Sequence, residues 1–342
     1  MSVTIRDVAK EAGVSISTVS KVLNNWTTIS STTVSKVNAA IEKLHYTPNA
    51  RAVNFAKGST NNIVFLAALN KDAAYLNPHM FAIMCGANQR LTEAGYTMTL
   101  IDSSNESNPG ERIHTIISKQ LADGIIIHGS SFTKECTELI IEKQYPHIII
   151  GRPDNNSQLC WVDTNHALAG QYAAKHMLAC GYTNVAFIGG KTTDYISIQR
   201  QKGFLSSMYD YGYSVPDSLI GYTDSSVKDS YDCALDILKS KKPPRAIVCE
   251  NNTITVGVMK AIEFCNLKIP SEIALLTFDS YPYSTIITPQ PTVIDINVYD
   301  MGREAGNIIL QKVHNPALQV QSFITLPYLN LGQTTMLKNN PL

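Results

Sequence analysis

Near the start of the chain, Ile16, Ser17, Ser20, Lys21 and Asn24 recur at helical spacing on one face. They are short or polar, with one cation among them, so a helix carrying them can enter a groove about 12 Å wide. Lys21 is a hydrogen-bond donor there, while Ile16 offers only apolar contact. Catalytic patterns are missing. Gly189-Gly190 is not a GxGxxG, and no GxxxxGK[ST], GxSxG or HExxH is present. The eight histidines and seven cysteines show no metal-ligand spacing. The expectation is a non-enzyme without cofactor or metal.

Several features must position that face. Thr4 and Asp7 stand three apart before an apolar periodic run, as in a capping box. Ile5, Val8, Ala9 and Ala12 give the first helix one buried side, and Gly13 stops it. Ser15 can cap a second helix whose Val19, Val22 and Leu23 point inward. A third helix begins after Ser30 or Ser31 and buries Val34, Val37, Ala40, Ile41 and Leu44. A generic helical hairpin would share much of this pattern. Charge adds to the argument: residues 1–60 carry seven Lys/Arg and three acids, against 21 and 25 in the remainder. A basic head on a mildly acidic body suits a polyanionic partner.

Thr47-Pro48 reads as a cap and first helical residue, followed by a short helix to Lys57 and a Gly58-Ser59-Thr60 linker. Beyond it, short apolar runs alternate with amphipathic stretches. Strands are expected at Ile63–Leu69, Thr97–Ile101, Gly124–His128, His147–Ile150, Val185–Ile188, Ala246–Cys249, Ile273–Phe278 and Val293–Ile296. Eight helical stretches, from Phe81–Ala94 to Tyr299–Lys312, lie among them. This alternation implies parallel sheets covered by helices, and the series restarting near Asp163 implies two similar α/β lobes.

The stretch TIRDVAKEAGVSISTVSKVLN, from Thr4 to Asn24, resembles the head of the lactose/galactose repressor (LacI/GalR) family, and the likeness resumes over AAIEKLHYTPN, ending at Asn49. It extends diffusely through the body, at Asn77-Pro78, Val162-Asp163, AFIGG ending at Gly190, Arg200 with Gly203-Phe204, Asn251, Thr277-Phe278-Asp279 and MGREAG ending at Gly306. The resemblance implies a three-helix helix-turn-helix head (1–46), a hinge helix and linker (47–60) and a periplasmic-binding-protein-like body (61–342). The body would comprise an N-lobe of about 61–161 and 296–325 and a C-lobe of about 162–295 and 326–342.

The resemblance makes Ile16, Ser17 and Lys21 the base readers, and Thr4, Ser15, Thr18, Ser20 and Asn24 mostly phosphate contacts or caps. Asn49 joins the DNA-binding set, and Phe55 stands where the family wedges a leucine into the minor groove. Where the family carries charged residues, positions 31–36 hold only Lys36. For an effector it implies Arg200, Asn251 and Asp279, with His79, Met80, Asp163 and Tyr222 around them; the loop at 70–76 is longer than the family norm. Such mixed donors and acceptors suit a polyhydroxylated ligand. Asp194 stands where the purine-responsive branch has an Arg, which favours a sugar or sugar derivative.

The expected protein is therefore a ligand-responsive transcriptional regulator, a homodimer on a near-palindromic duplex, repressing a carbohydrate-utilisation operon. A sugar-binding receptor without DNA binding is the alternative. No run is long and apolar enough to span a bilayer, and the N-terminus has no secretory pattern, so no membrane and a cytoplasmic location are expected.

Overall fold

The structure is a computed structural model that describes residues 3–24, 26–47, 58–69, 78–104, 109–153, 158–280, 284–318 and 322–335. The expected hinge helix, with Asn49 and Phe55, and the loop at 70–76 lie outside them. The chain divides into a head, Met1–Asn61, and a body, Asn62–Leu342.

The head contains α1 (Ile5–Ala12), α2 (Ile16–Leu23) and α3 (Ser31–Lys43). The Asp7 carboxylate accepts from the Thr4 amide at 2.9 Å and the Thr4 hydroxyl at 2.7 Å. These bonds hold its pKa below the ordinary aspartate value. Gly13 ends α1 at φ 65, the left-handed conformation that glycine adopts most cheaply. The Ser15 hydroxyl accepts from the Thr18 amide at 3.1 Å, so α2 begins one residue later. Val8, Ala9, Val19, Val22, Val37 and Ala40 form the buried core. With so small a core, caps and turn matter disproportionately to stability.

The body holds two six-stranded sheets. The first comprises β1 (Asn62–Ala67), β2 (Thr97–Asp102), β3 (Gly124–His128), β4 (His147–Ile150), β5 (Trp161–Thr164) and β11 (Ser322–Thr325), in the order β11-β5-β4-β3-β1-β2. The second comprises β6 (Val185–Gly189), β7 (Ile220–Tyr222), β8 (Ala246–Cys249), β9 (Ala274–Phe278), β10 (Thr292–Asp295) and β12 (Tyr328–Asn330), in the order β12-β10-β9-β8-β6-β7. Every pairing is parallel except that of β10 with β12. Central strands such as β3 and β9 are buried almost throughout, which explains their mainly apolar sequences.

The first lobe also takes α4 (Pro78–Glu93), α5 (Pro109–Ser118) and α6 (Lys134–Glu142), and the returning α11 (Val298–His314). The second takes α7 (His166–Ala179), α8 (Tyr195–Asp210), α9 (Val227–Leu238) and α10 (Asn252–Phe264). The chain crosses between lobes after β5, between β10 and α11, and between β11 and β12. Because β5 belongs to the first sheet, the first crossing follows Thr164, a few residues beyond the expected boundary at 161. Two crossings run side by side: the Asn165 amide donates to the Thr325 carbonyl at 3.0 Å, and the Thr164 and Thr325 hydroxyls are 2.8 Å apart. Among the described residues no helix is long and apolar enough to cross a membrane.

Candidate functional site

In the head, Ile16, Ser17 and Lys21 are exposed on α2 while Val19 and Val22 of the same helix are buried. The three expected base readers therefore share one solvent-facing surface. Thr4 and Ser15 are spent on caps, and the Ser15 hydroxyl also lies 2.7 Å from that of Ser17 and 2.8 Å from that of Thr18. Asn24 is half-buried and donates its amide to the Ser20 carbonyl at 2.9 Å, back along α2. These roles fit positioning better than readout.

In the second lobe, Gly189, Tyr222, Glu250 and Asp279 come at or just after the ends of four neighbouring strands, β6, β7, β8 and β9. Carboxyl ends of parallel strands are where open α/β sheets bind ligands. Arg200 reaches this rim from α8. A Cβ at Gly170 of α7 would stand 2.0 Å from the Arg200 carbonyl oxygen, and one at Gly203 would stand 1.9 Å from that of Ala167. Only glycine lets the two helix backbones approach so closely, and this approach sets the height of Arg200.

Arg200 is 2% exposed. Its Nη1 and Nη2 donate to the two Asp279 oxygens, each at 3.0 Å, as a planar fork. Nη1 also donates to the Glu250 carbonyl at 2.7 Å and lies 3.5 Å from Glu250 Oε1. The guanidinium stacks on the Phe278 ring, 4.7 Å from its centroid. Its buried Nε has no hydrogen-bond partner. Arg200, expected among the effector-binding residues, thus has its fork already occupied by Asp279.

One cation here faces two carboxyl groups. Burial opposes the Asp279 charge, but Arg200, aided by His79 and His166, holds its pKa below the ordinary value. Burial dominates at Glu250 and raises its pKa; the Arg200 attraction is smaller, and Asp279 and Asp194 repel. Burial also works against the Arg200 charge, yet the two carboxylates outweigh it and raise its pKa. Asp279 has φ 67, a left-handed backbone costly for a non-glycine residue, on the order of 1–3 kcal/mol. Such strain clusters at binding sites.

The other expected site residues divide. Asn251 caps α10, its Oδ1 accepting from the Ile254 amide at 2.9 Å, while its Nδ2 donates to Glu250 at 3.1 Å. Asp163 is buried at the first crossing, accepting from the Arg152 and Thr164 amides and lying 3.1 Å from His166 Nε2. His79, from the first lobe, acts electrostatically on Asp279 of the second. Met80 is 3% exposed and sits in the first-lobe core rather than forming a cleft wall. Tyr222 is exposed at the β7 end, its hydroxyl accepting from Gln201 at 2.9 Å. Asp194 caps α8. Two residues escaped sequence reasoning. Glu250 follows the AIVC run of β8 directly, and that position was its only signal. Arg152 spans the lobes, its Nη1 donating to the Tyr195 hydroxyl at 3.2 Å. Among the described residues no group of three or more His, Cys, Asp or Glu could hold a metal ion.

Comparison with known proteins accords with this architecture. Residues 4–49 match the family model described as bacterial regulatory proteins, lacI family. Residues 174–335 match the periplasmic binding protein-like domain. The HTH-type transcriptional repressor PurR of Actinobacillus pleuropneumoniae is 27% identical over 320 residues, 93% of each chain. The ribose operon repressor of Escherichia coli is 27% identical over 332 residues, 95% of this chain and 98% of that one. The lac repressor dimer bound to operator and the anti-inducer ONPF superposes with a TM-score of 0.81 at 21% identity, covering 98% of this chain and 100% of that one. Head, two-lobed body and relatives agree: the chain pairs a lacI-family head with a periplasmic binding protein-like domain and is similar along most of its length to curated repressors of that build.

Proposed function

We propose that this protein is a cytoplasmic, ligand-responsive transcriptional repressor that binds duplex DNA sequence-specifically as a homodimer and catalyses no reaction. The observation that carries this reading is the shared exposed surface of Ile16, Ser17 and Lys21 on a capped helix of a helix-turn-helix head. Lys21 reads a guanine, Ile16 contacts a thymine methyl, and Ser17 adds a short polar contact. Thr4, Ser15, Thr18, Ser20 and Asn24 serve as phosphate contacts or as caps that position the helix, and Asn49 and Phe55 act from the hinge, Phe55 as a minor-groove wedge. One recognition helix covers only half a site, so two copies meet a near-palindromic operator. The outward side of α10 supports the pairing, with a groove lined by Val256, Met259 and Ile287.

The effector binds at the Arg200–Asp279–Glu250 rim, between the lobes, and is a neutral hydroxylated molecule, a sugar or sugar derivative. The Glu250 carboxyl there can exchange hydrogen bonds with hydroxyl groups, whereas the Arg200 fork that a phosphate or carboxylate would seek is already taken by Asp279. Binding changes the relation of the lobes and thereby the affinity of the heads for DNA, a coupling of two sites through one body. A sugar receptor without DNA binding leaves the reading face on α2 without a use.

Two measurements test this. Full-length protein mixed with a random-sequence duplex pool at low salt should enrich a near-palindromic sequence; failure to enrich any sequence would sink the proposal. A thermal-shift series of neutral sugars, sugar phosphates and nucleosides should raise the melting temperature only with a neutral sugar, because a ligand of the folded state stabilises it. Stabilisation by sugar phosphates alone would reverse the ligand assignment.

A further inference from the structure

Trp26 lies just beyond α2 and belongs to no part of the head core. It is 56% exposed, the most exposed large apolar side chain described in the head, ahead of Ile16 at 45%. A tryptophan left more than half in water and outside the core is an unusual use of a large apolar surface. Its backbone is nonetheless fixed. The Trp26 amide donates to the Lys21 carbonyl at 3.0 Å, which folds the chain back over the last turn of α2. The indole thereby comes under the lysine: Lys21 Nζ lies 5.6 Å from the ring centroid. The negative face of the indole attracts the ammonium electrostatically.

Lysine has a long flexible stem and three rotatable donors, so an exposed lysine beside DNA can fall on a phosphate as readily as on a base. A fixed aromatic face beside the ammonium narrows that freedom. We infer that Trp26 is a positioning residue for Lys21: it holds the ammonium over the reading face of α2 and so sharpens the preference at the base pair that Lys21 contacts. This rests on the base-reading role proposed for Lys21. Trp26 itself has no assigned contact with DNA.

A double-mutant cycle on the full-length protein tests the inference, using a duplex enriched by that protein from a random pool and a fixed salt concentration. Trp26→Ala should weaken binding to this duplex by about two- to fivefold, the range of an exposed cation–π contact. The salt dependence should not change, since no charge is removed. Trp26→Phe should retain part of the affinity, and Trp26→Leu, apolar but without a π face, should behave like Trp26→Ala. In a Lys21→Ala background the Trp26→Ala loss should vanish. An equal loss in both backgrounds, or wild-type affinity in Trp26→Leu, would overturn the inference. The base profile of Lys21→Ala tests the underlying reading separately: a loss confined to one base pair keeps it, and a uniform loss removes it.

Discussion

The head and the second lobe handle charge in opposite ways. On α2, Lys21 is exposed, with short side chains on its own helix face and the Trp26 ring beside it. At the ends of β8 and β9, Arg200, Glu250 and Asp279 are buried and bonded mainly to one another. A solvated cation costs little to maintain, and its attraction to a polyanion falls with salt. A buried cluster is expensive to assemble but is held in one geometry before any ligand arrives. The contrast suits the two proposed tasks: finding a long anionic duplex, and choosing among small neutral molecules of similar shape.

Removing Arg200 should separate the two regions most sharply. Arg200→Ala leaves Asp279 and Glu250 buried without their cation, a change worth about 3–5 kcal/mol where a buried pair is broken. Urea denaturation of the body should register this loss together with the disappearance of ligand-induced stabilisation. At temperatures where the body stays folded, the head should still bind duplex. Unchanged ligand response would remove Arg200 from the site.

Lys21→Ala comes next, with about 1–3 kcal/mol lost at a single base pair in a binding series of point-substituted duplexes. The same variant should leave body stability alone. Should the body unfold at a lower urea concentration, the independence of the two regions would be refuted.

The two carboxyl groups of the cluster should respond oppositely to pH. The Glu250 pKa is raised by burial, so its contribution is fully present below the ordinary glutamate value of 4.5 and is lost as pH rises through the folded-state value. The Asp279 pKa is lowered overall, despite burial, by Arg200; its contribution is present above the ordinary 3.8 and lost as pH falls through the folded-state value. Melting temperatures of wild type and Glu250→Gln across pH 4–8 should diverge toward the high end, with the variant relatively more stable there. Parallel curves would mean that Glu250 titrates normally.

The smallest effect concerns the caps. Ser15→Ala should destabilise the head by about 1 kcal/mol, visible as faster amide exchange in α2 and absent from the body. Equal exchange in both proteins would show that the cap bond contributes nothing.

Much of the fold was legible because its central elements announce themselves. The Ile-rich runs of β3 and β4 allow little but buried strands, and Thr4, Gly13 and Ser15 punctuate the head helices where they stand. The unpredicted strands are of two kinds. β7, β11 and β12 are edge strands of three or four residues, the last two largely exposed, too short for an alternating pattern to mark them. β5 is buried but carries Asp163, whose oxygens serve the first crossing, and a four-residue strand containing an acid reads as a loop.

The site was legible in membership more than in arrangement. Arg200 and Asp279 are 79 residues apart in sequence, and nothing local reveals that they bond each other before any ligand does. Glu250 became visible only through its burial against Arg200. Met80 went the other way, because an apolar residue at a helix start serves a core or a cleft wall equally well in sequence.

The paired crossings at Thr164–Asn165 and Thr325 have a mechanical consequence. Two strands bonded edge to edge make a ribbon, and a ribbon resists shear and in-plane sway far more than it resists flexing across its flat. With the passage from β10 to α11 as a third tether, the lobes are joined by three connections, two of them bonded side by side, an arrangement that favours hinge-like flexing over shear. Under the proposed effector site, a molecule gripping both lobes would act on that flexing directly, with no elaborate relay.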